Sequence, residues 1–169
     1  SCGLDNYSQS KVIGGSKDNF VPELALSTVG LFKNDKSQLC SGSLIAKNQI
    51  LTAAHCISGI SEKDYYVILE DKKNKKCQKI RVKKQLAYDP WISKSAFPNF
   101  DVATLILESN VDDHFKAIPI ETDESILNKD RDVVLMGYGK FQNKCKKGEK
   151  CNGIKKAMNA KIKTYLNSN

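Results

Sequence analysis

Leu51-Thr52-Ala53-Ala54-His55-Cys56 and Asp101-Val102-Ala103-Thr104-Leu105-Ile106-Leu107 are the two stretches on which the reading of this chain turns. Each sets a short apolar, β-rich run beside one group able to hold or move a proton: an imidazole after the first run, a carboxylate before the second. The first run extends back to Ser43 and the second ends at Leu107. Working outward, Glu23–Leu31, Tyr65–Glu70 and Gln78–Lys84 have the same texture, broken by Gly, Asn, Asp, Lys or Pro, with almost no helical periodicity. Five or six short strands within about 95 residues predict an all-β fold that closes as a barrel or packs as a sandwich.

The pattern loosens from Val111 to Asn128 into a polar segment with Pro119 and several acids, which reads as a surface linker over residues 111–130. A second β unit, residues 131–169, follows. Val133–Met136 leads into Gly137-Tyr138-Gly139. Ala157–Thr164 alternates, with Met158, Ala160 and Ile162 on one side and Asn159, Lys161 and Lys163 on the other. Three strands at most are too few to close a barrel, so this unit reads as only begun.

With 169 residues, 40% hydrophobic and 27% charged, the chain is long enough to bury a core and has the composition of a globular protein. No apolar run approaches the roughly 18 residues of a membrane helix. The start, Ser1-Cys2-Gly3-Leu4-Asp5-Asn6, lacks the basic and apolar regions of a signal peptide, so any export signal is expected to have been removed already. The formal charge of +8 comes mostly from lysine clusters around Lys72–Lys76, Lys79–Lys84 and Lys144–Lys150. These clusters have no interleaved aromatics for base stacking and fall between strand-like runs, so they read as solvated hairpin tips and no nucleic-acid partner is expected.

Six cysteines point to an oxidising compartment, hence a secreted or extracytoplasmic protein. Cys40 and Cys56 form the clearest pair: each ends a strand-like run, and a bridge would pin the His55 loop to the neighbouring strand. Cys145 and Cys151 lie close together in a Lys/Gly-rich loop and suit a small closed loop. Cys2 and Cys77 remain. They pair with each other, or Cys2 pairs beyond this chain, or Cys2 is a lipidated N-terminal cysteine and gives the only route to a membrane. No Cys-x2-Cys pair or nearby His has the usual zinc-ligand spacing, and no metal or other cofactor is expected.

His55 and Asp101, 46 residues apart, supply two groups of a Ser/His/Asp triad, but no serine lies in a Gly-Asp-Ser-Gly-Gly or Gly-x-Ser-x-Gly setting. Together with other motifs they resemble the trypsin/chymotrypsin family of serine proteases. Val12-Ile13-Gly14-Gly15 after Lys11 resembles the family's activation site. Cys40-Ser41-Gly42-Ser43-Leu44-Ile45 resembles the strand before the catalytic histidine, with Ser41 where the family more often has Gly. Met136-Gly137-Tyr138-Gly139 resembles the Thr-Gly-Trp-Gly stretch that opens the second barrel.

The resemblance implies a double β-barrel, its first barrel complete over residues 12–110 and its second only begun, after a propeptide-like segment over residues 1–11. It implies a secreted serine endopeptidase acting on proteins or peptides and activated by cleavage between Lys11 and Val12. His55 would be the general base and Asp101 its orienting acid, with the nucleophile on a Ser-bearing C-terminal segment or chain, roughly 90 residues beyond the Asp by the family pattern. The alternative is a catalytically inactive protease-like binding module. The loop Glu70–Cys77 departs from the acid-rich, calcium-binding loop of many relatives: after Glu70 and Asp71 it is mostly lysine, so no calcium is expected there. His114, set among Asp112, Asp113 and Phe115, reads as a surface or structural histidine.

Overall fold

The computed structural model describes residues 21–87, 101–126, 128–138 and 155–163. The activation-site residues Lys11 and Val12, the 1–11 segment, Cys2 and the Cys145/Cys151 pair lie outside the described residues. The elements run α1 (Pro22–Ser27), β1 (Thr28–Lys33), β2 (Gln38–Ala46), β3 (Gln49–Thr52), β4 (Tyr65–Asp71), β5 (Lys76–Ala87), β6 (Ala103–Leu107), β7 (Asp132–Gly137) and β8 (Lys156–Lys161). β1 to β6 close a barrel in the order β1-β2-β3-β6-β5-β4 with antiparallel neighbours, and β7 and β8 pair as a separate two-stranded sheet. This is the expected all-β architecture.

Alternation builds the barrel interior. Val29 and Leu31 of β1, Tyr65, Val67 and Leu69 of β4, Ile80 and Val82 of β5, and Ala103, Leu105 and Leu107 of β6 join one core with Leu44 and Ile50. β4 is apolar at consecutive positions because its outer face is covered too. Tyr66 and Ile68 pack with Phe32 and with Tyr138 from the end of β7. Phe32 stacks on Tyr66 and meets Tyr138 edge-on, with centroids 5.8 Å apart. Gly30 makes room for this layer, since a Cβ there would lie 2.5 Å from the Phe32 ring and 3.1 Å from Tyr138.

Two expected strands differ. Glu23–Leu31 does not begin as a strand, because Pro22–Ser27 forms a short helix and the strand starts at Thr28. Pro22 opens the helix where its fixed φ is no penalty, and the Leu-Ala-Leu run that follows is made of helix formers. Ser27 Oγ and Thr28 Oγ1 then both donate to Leu24 O, at 2.9 and 2.7 Å, and close its end. Ser43–Leu51 is not one strand but a hairpin: Ala46 pairs with Gln49 across a two-residue Lys47-Asn48 turn.

The 111–130 segment packs against the barrel at its start, where Val111 and Phe115 enter the core. Val111 and Ile118 also donate backbone hydrogen bonds to Lys47 O and Leu44 O. At the other end Lys155, 7% exposed, donates from Nζ to Ala25 O and Glu70 O, both at 2.7 Å, and so ties the start of β8 to α1 and β4. Burial draws its pKa down to about 8, against the opposing pull of Glu70 and Asp71.

Candidate active site

β3 and β6 are antiparallel neighbours, with Thr52 opposite Ala103, so the chain leaves β3 and enters β6 at the same end of the barrel. That register decides the site: His55 follows Thr52 on a 3-10 turn, Ala54–Cys56, and Asp101 precedes Ala103. Buried Ala54 and Cys56 anchor the turn on either side, leaving the imidazole outward with its side chain 60% exposed. The Cys40–Cys56 disulfide fixes the turn to β2. Thr52 Oγ1, donating to Ser41 O at 2.9 Å, adds a second tie between β3 and β2.

Asp101 grips His55 at two points. The His55 backbone N–H donates to Oδ1 at 2.8 Å, and ring Nδ1 lies 2.6 Å from Oδ2. With the carboxylate as acceptor, Nδ1 carries the proton and Nε2 keeps a lone pair. Among the described residues the polar contact of Nε2 is with Cys56 Sγ, at 3.5 Å. That sulfur is in a disulfide and has no proton to give. Desolvation raises the pKa of Asp101, but the hydrogen bonds from the His55 ring and backbone, the imidazole charge and the Ala54 N–H outweigh it, and the carboxyl titrates below its ordinary range. Asp101 is thus held ionised.

The sulfurs of Cys40 and Cys56 and a His55 nitrogen lie within 4.8 Å of one another. The sulfurs are bonded to each other, so the cluster has one free donor and does not make a metal site in this state. Cys77 is disulfide-bonded as well, and its pairing lies outside the described residues.

The structure also shows roles that sequence reasoning did not reach. Ser41 accepts the Tyr138 N–H on its Oγ at 2.8 Å, bridging the first barrel to the β7–β8 sheet. Its partner is 97 residues away and no local pattern announces it. His114 is structural, as expected, but its partner is Asp71, with Nε2 2.7 Å from Oδ2 and side chains only 19% and 12% exposed. Desolvation raises the Asp71 pKa, but hydrogen bonds from Asn74, His114 and Lys73 prevail and lower it.

The family model described as Trypsin matches residues 19–167. The chain is 29% identical over 136 residues to "Trypsin" of Saccharopolyspora erythraea, a match covering 77% of this chain and 56% of the relative. It is 25% identical over 162 residues to "Granzyme-like protein 2" of Rattus norvegicus, covering 87% and 63%. The solved structure of neuropsin, described as a serine protease expressed in the limbic system of mouse brain, superposes with a TM-score of 0.66 at 19% identity, covering 86% of this chain and 63% of that one. The chain therefore spans less than two thirds of the length of each of these proteins. The family match takes in the six-stranded barrel and the β7–β8 sheet alike, and the chain belongs to the trypsin family of serine proteases.

Proposed function

We propose that this chain carries the general base and the orienting acid of a secreted trypsin-like serine endopeptidase, whose nucleophilic serine comes from a Ser-bearing segment or chain of the same protease. One observation carries the reading: Asp101 holds His55 through both its backbone N–H and Nδ1, leaving Nε2 unprotonated on an exposed ring. In the reaction Nε2 takes the proton from the serine hydroxyl as the oxygen attacks the scissile carbonyl. The resulting imidazolium is stabilised by Asp101 and gives that proton to the leaving amine, and the same cycle with water releases the acyl group. The Cys40–Cys56 bridge acts as a positioning element: it holds the His55 turn against β2.

Activation is assigned to cleavage between Lys11 and Val12, and the disulfides suit an extracytoplasmic site. The test is hydrolysis of a panel of chromogenic peptides by this chain assembled with the Ser-bearing segment, before and after cleavage at Lys11. Turnover that appears on cleavage and falls by roughly 10⁶-fold in His55→Ala supports the reading. An assembled, cleaved protein that hydrolyses nothing overturns it in favour of a protease-like binding module.

A further inference from the structure

Between residues 72 and 84 the chain places eight basic side chains and no acidic one. The structure turns this stretch into a row: Lys79, Arg81 and Lys83 are exposed on β5 while Ile80 and Val82 between them are buried. A register shift between Val82 and Lys84 makes Lys83 an extra residue, so that Lys83 and Lys84 are both exposed and the row thickens. The β4–β5 turn extends it at the other end through Lys73 and Lys75. Lys75 has φ of +52°, the left-handed region that glycine fills without strain.

The middle of the row is braced. Lys79 Nζ sits 3.6 Å from the Tyr66 ring centroid, and Arg81 Nη1 donates to Asn34 Oδ1 at 2.7 Å and Lys63 O at 3.2 Å. Its ends are not: among the described residues no carboxylate pairs with Lys73, Lys75, Lys83 or Lys84. Of the nearby acids, Glu70 lies beside Lys72 at the turn end of the row, with Oε2 4.0 Å from Nζ. Asp71 is taken up by Asn74 and His114, and Glu108, whose backbone N–H donates to Arg81 O, forms no ion pair with the row.

We infer that the outer face of β5 and the β4–β5 turn is a docking surface for an acidic, extended polypeptide segment. The exposed cations repeat every second residue, about 6.8 Å apart, which is the repeat of side chains on one face of an extended peptide. The barrel is closed, so it offers no strand edge, and recognition falls to these side chains. Nucleic acid fits less well: the aromatics beneath the row, Tyr66 and Phe32, are 3% and 2% exposed and give bases nothing to stack on. β5 ends at Ala87, opposite Ala103, close to Asp101. A docked segment therefore lies along a route to His55, and in that one respect the inference rests on the proposed function; the binding itself does not.

The test is direct binding to the full 169-residue chain, with no turnover required. The probe is a labelled peptide of roughly ten residues with Glu at alternate positions. The variant is the set Lys73→Glu, Lys75→Glu, Lys83→Glu and Lys84→Glu, with Lys→Gln at the same positions as a milder version and Lys116→Glu with Lys129→Glu as an off-face control. Circular dichroism checks that each variant folds. The expected result is binding that weakens at least about tenfold in both on-face sets, is unchanged in the control, and falls steeply between about 50 and 200 mM salt. No binding at low salt, an equal loss in the control, or tighter binding of single-stranded DNA of matched charge overturns it. Failure here leaves the His55 reading intact, because that is measured by turnover of small peptides.

Discussion

The molecule contains two histidine–aspartate pairs of nearly equal length, 2.6 Å for His55–Asp101 and 2.7 Å for His114–Asp71, built for opposite ends. His55 gives Nδ1 to its carboxylate, and its ring is 60% exposed, with Nε2 3.5 Å from the Cys56 sulfur. His114 gives Nε2 to Asp71, and its ring packs edge-on against Phe115. The first pair sits at the mouth of the barrel on a turn held by a disulfide. The second clamps the β4–β5 turn to the segment leaving the barrel, with both side chains mostly covered. An ion pair alone therefore says little about function; which ring nitrogen is committed, and what the other can reach, separates the proposed proton shuttle from a clasp.

That contrast can be broken in order of effect. Asp101→Asn in the assembled protease should lower turnover by roughly 10⁴-fold, because the amide favours the wrong imidazole tautomer, whereas Asp71→Asn should leave kcat/KM near the parent value. Comparable losses in both would erase the distinction. Opening the Cys40–Cys56 bridge with Cys40→Ser and Cys56→Ser, a loop of 16 residues, should lower stability by about 3 kcal/mol in denaturant titrations; an unchanged midpoint would deny the turn its anchor. His114→Ala should cost about 2 kcal/mol, since it strips a charge-assisted hydrogen bond from a mostly covered pair, while peptide hydrolysis persists.

The clasp has a pH signature. The folded state lowers the Asp71 pKa from its ordinary 3.8, so its contribution is fully present well above that value and is lost as pH falls through the lower folded-state value. The stability gap between the parent and Asp71→Asn should therefore be constant near neutrality and shrink below about pH 4, as measured by urea unfolding across the acid range. A gap that widened on acidification would refute the assignment. The smallest expected effect is at the seam between the barrel and the β7–β8 sheet. Ser41→Ala removes the acceptor for the Tyr138 N–H and should cost about 1 kcal/mol in thermal or denaturant unfolding.

The His55–Asp101 pair was legible in the sequence because each residue is carried by a local motif, and the strands bearing them are adjacent in the barrel. Most strands were legible from apolar alternation, but α1 was not: the same Leu-Ala-Leu residues suit a strand pattern, and Pro22 with back-bonding Ser27 and Thr28 tips the balance. The Lys47-Asn48 turn was lost in an apolar run long enough to pass for one strand. The Asp71–His114, Ser41–Tyr138 and Lys155–Glu70 contacts join residues 43, 97 and 85 positions apart, and nothing in either local stretch names its partner. Even the burial of Lys155, a residue type rarely covered, follows only from the two carbonyls the fold brings to its ammonium.

The difference between the two pairs can be read from the tautomer of each histidine by long-range proton–nitrogen NMR on the neutral imidazoles. In its neutral form His55 is expected to carry its proton on Nδ1, with Nε2 bare and ready to accept one, while His114 carries its proton on Nε2, facing Asp71. A His55 protonated on Nε2 in its neutral form would contradict this expectation, because that nitrogen could not take a proton from an attacking serine.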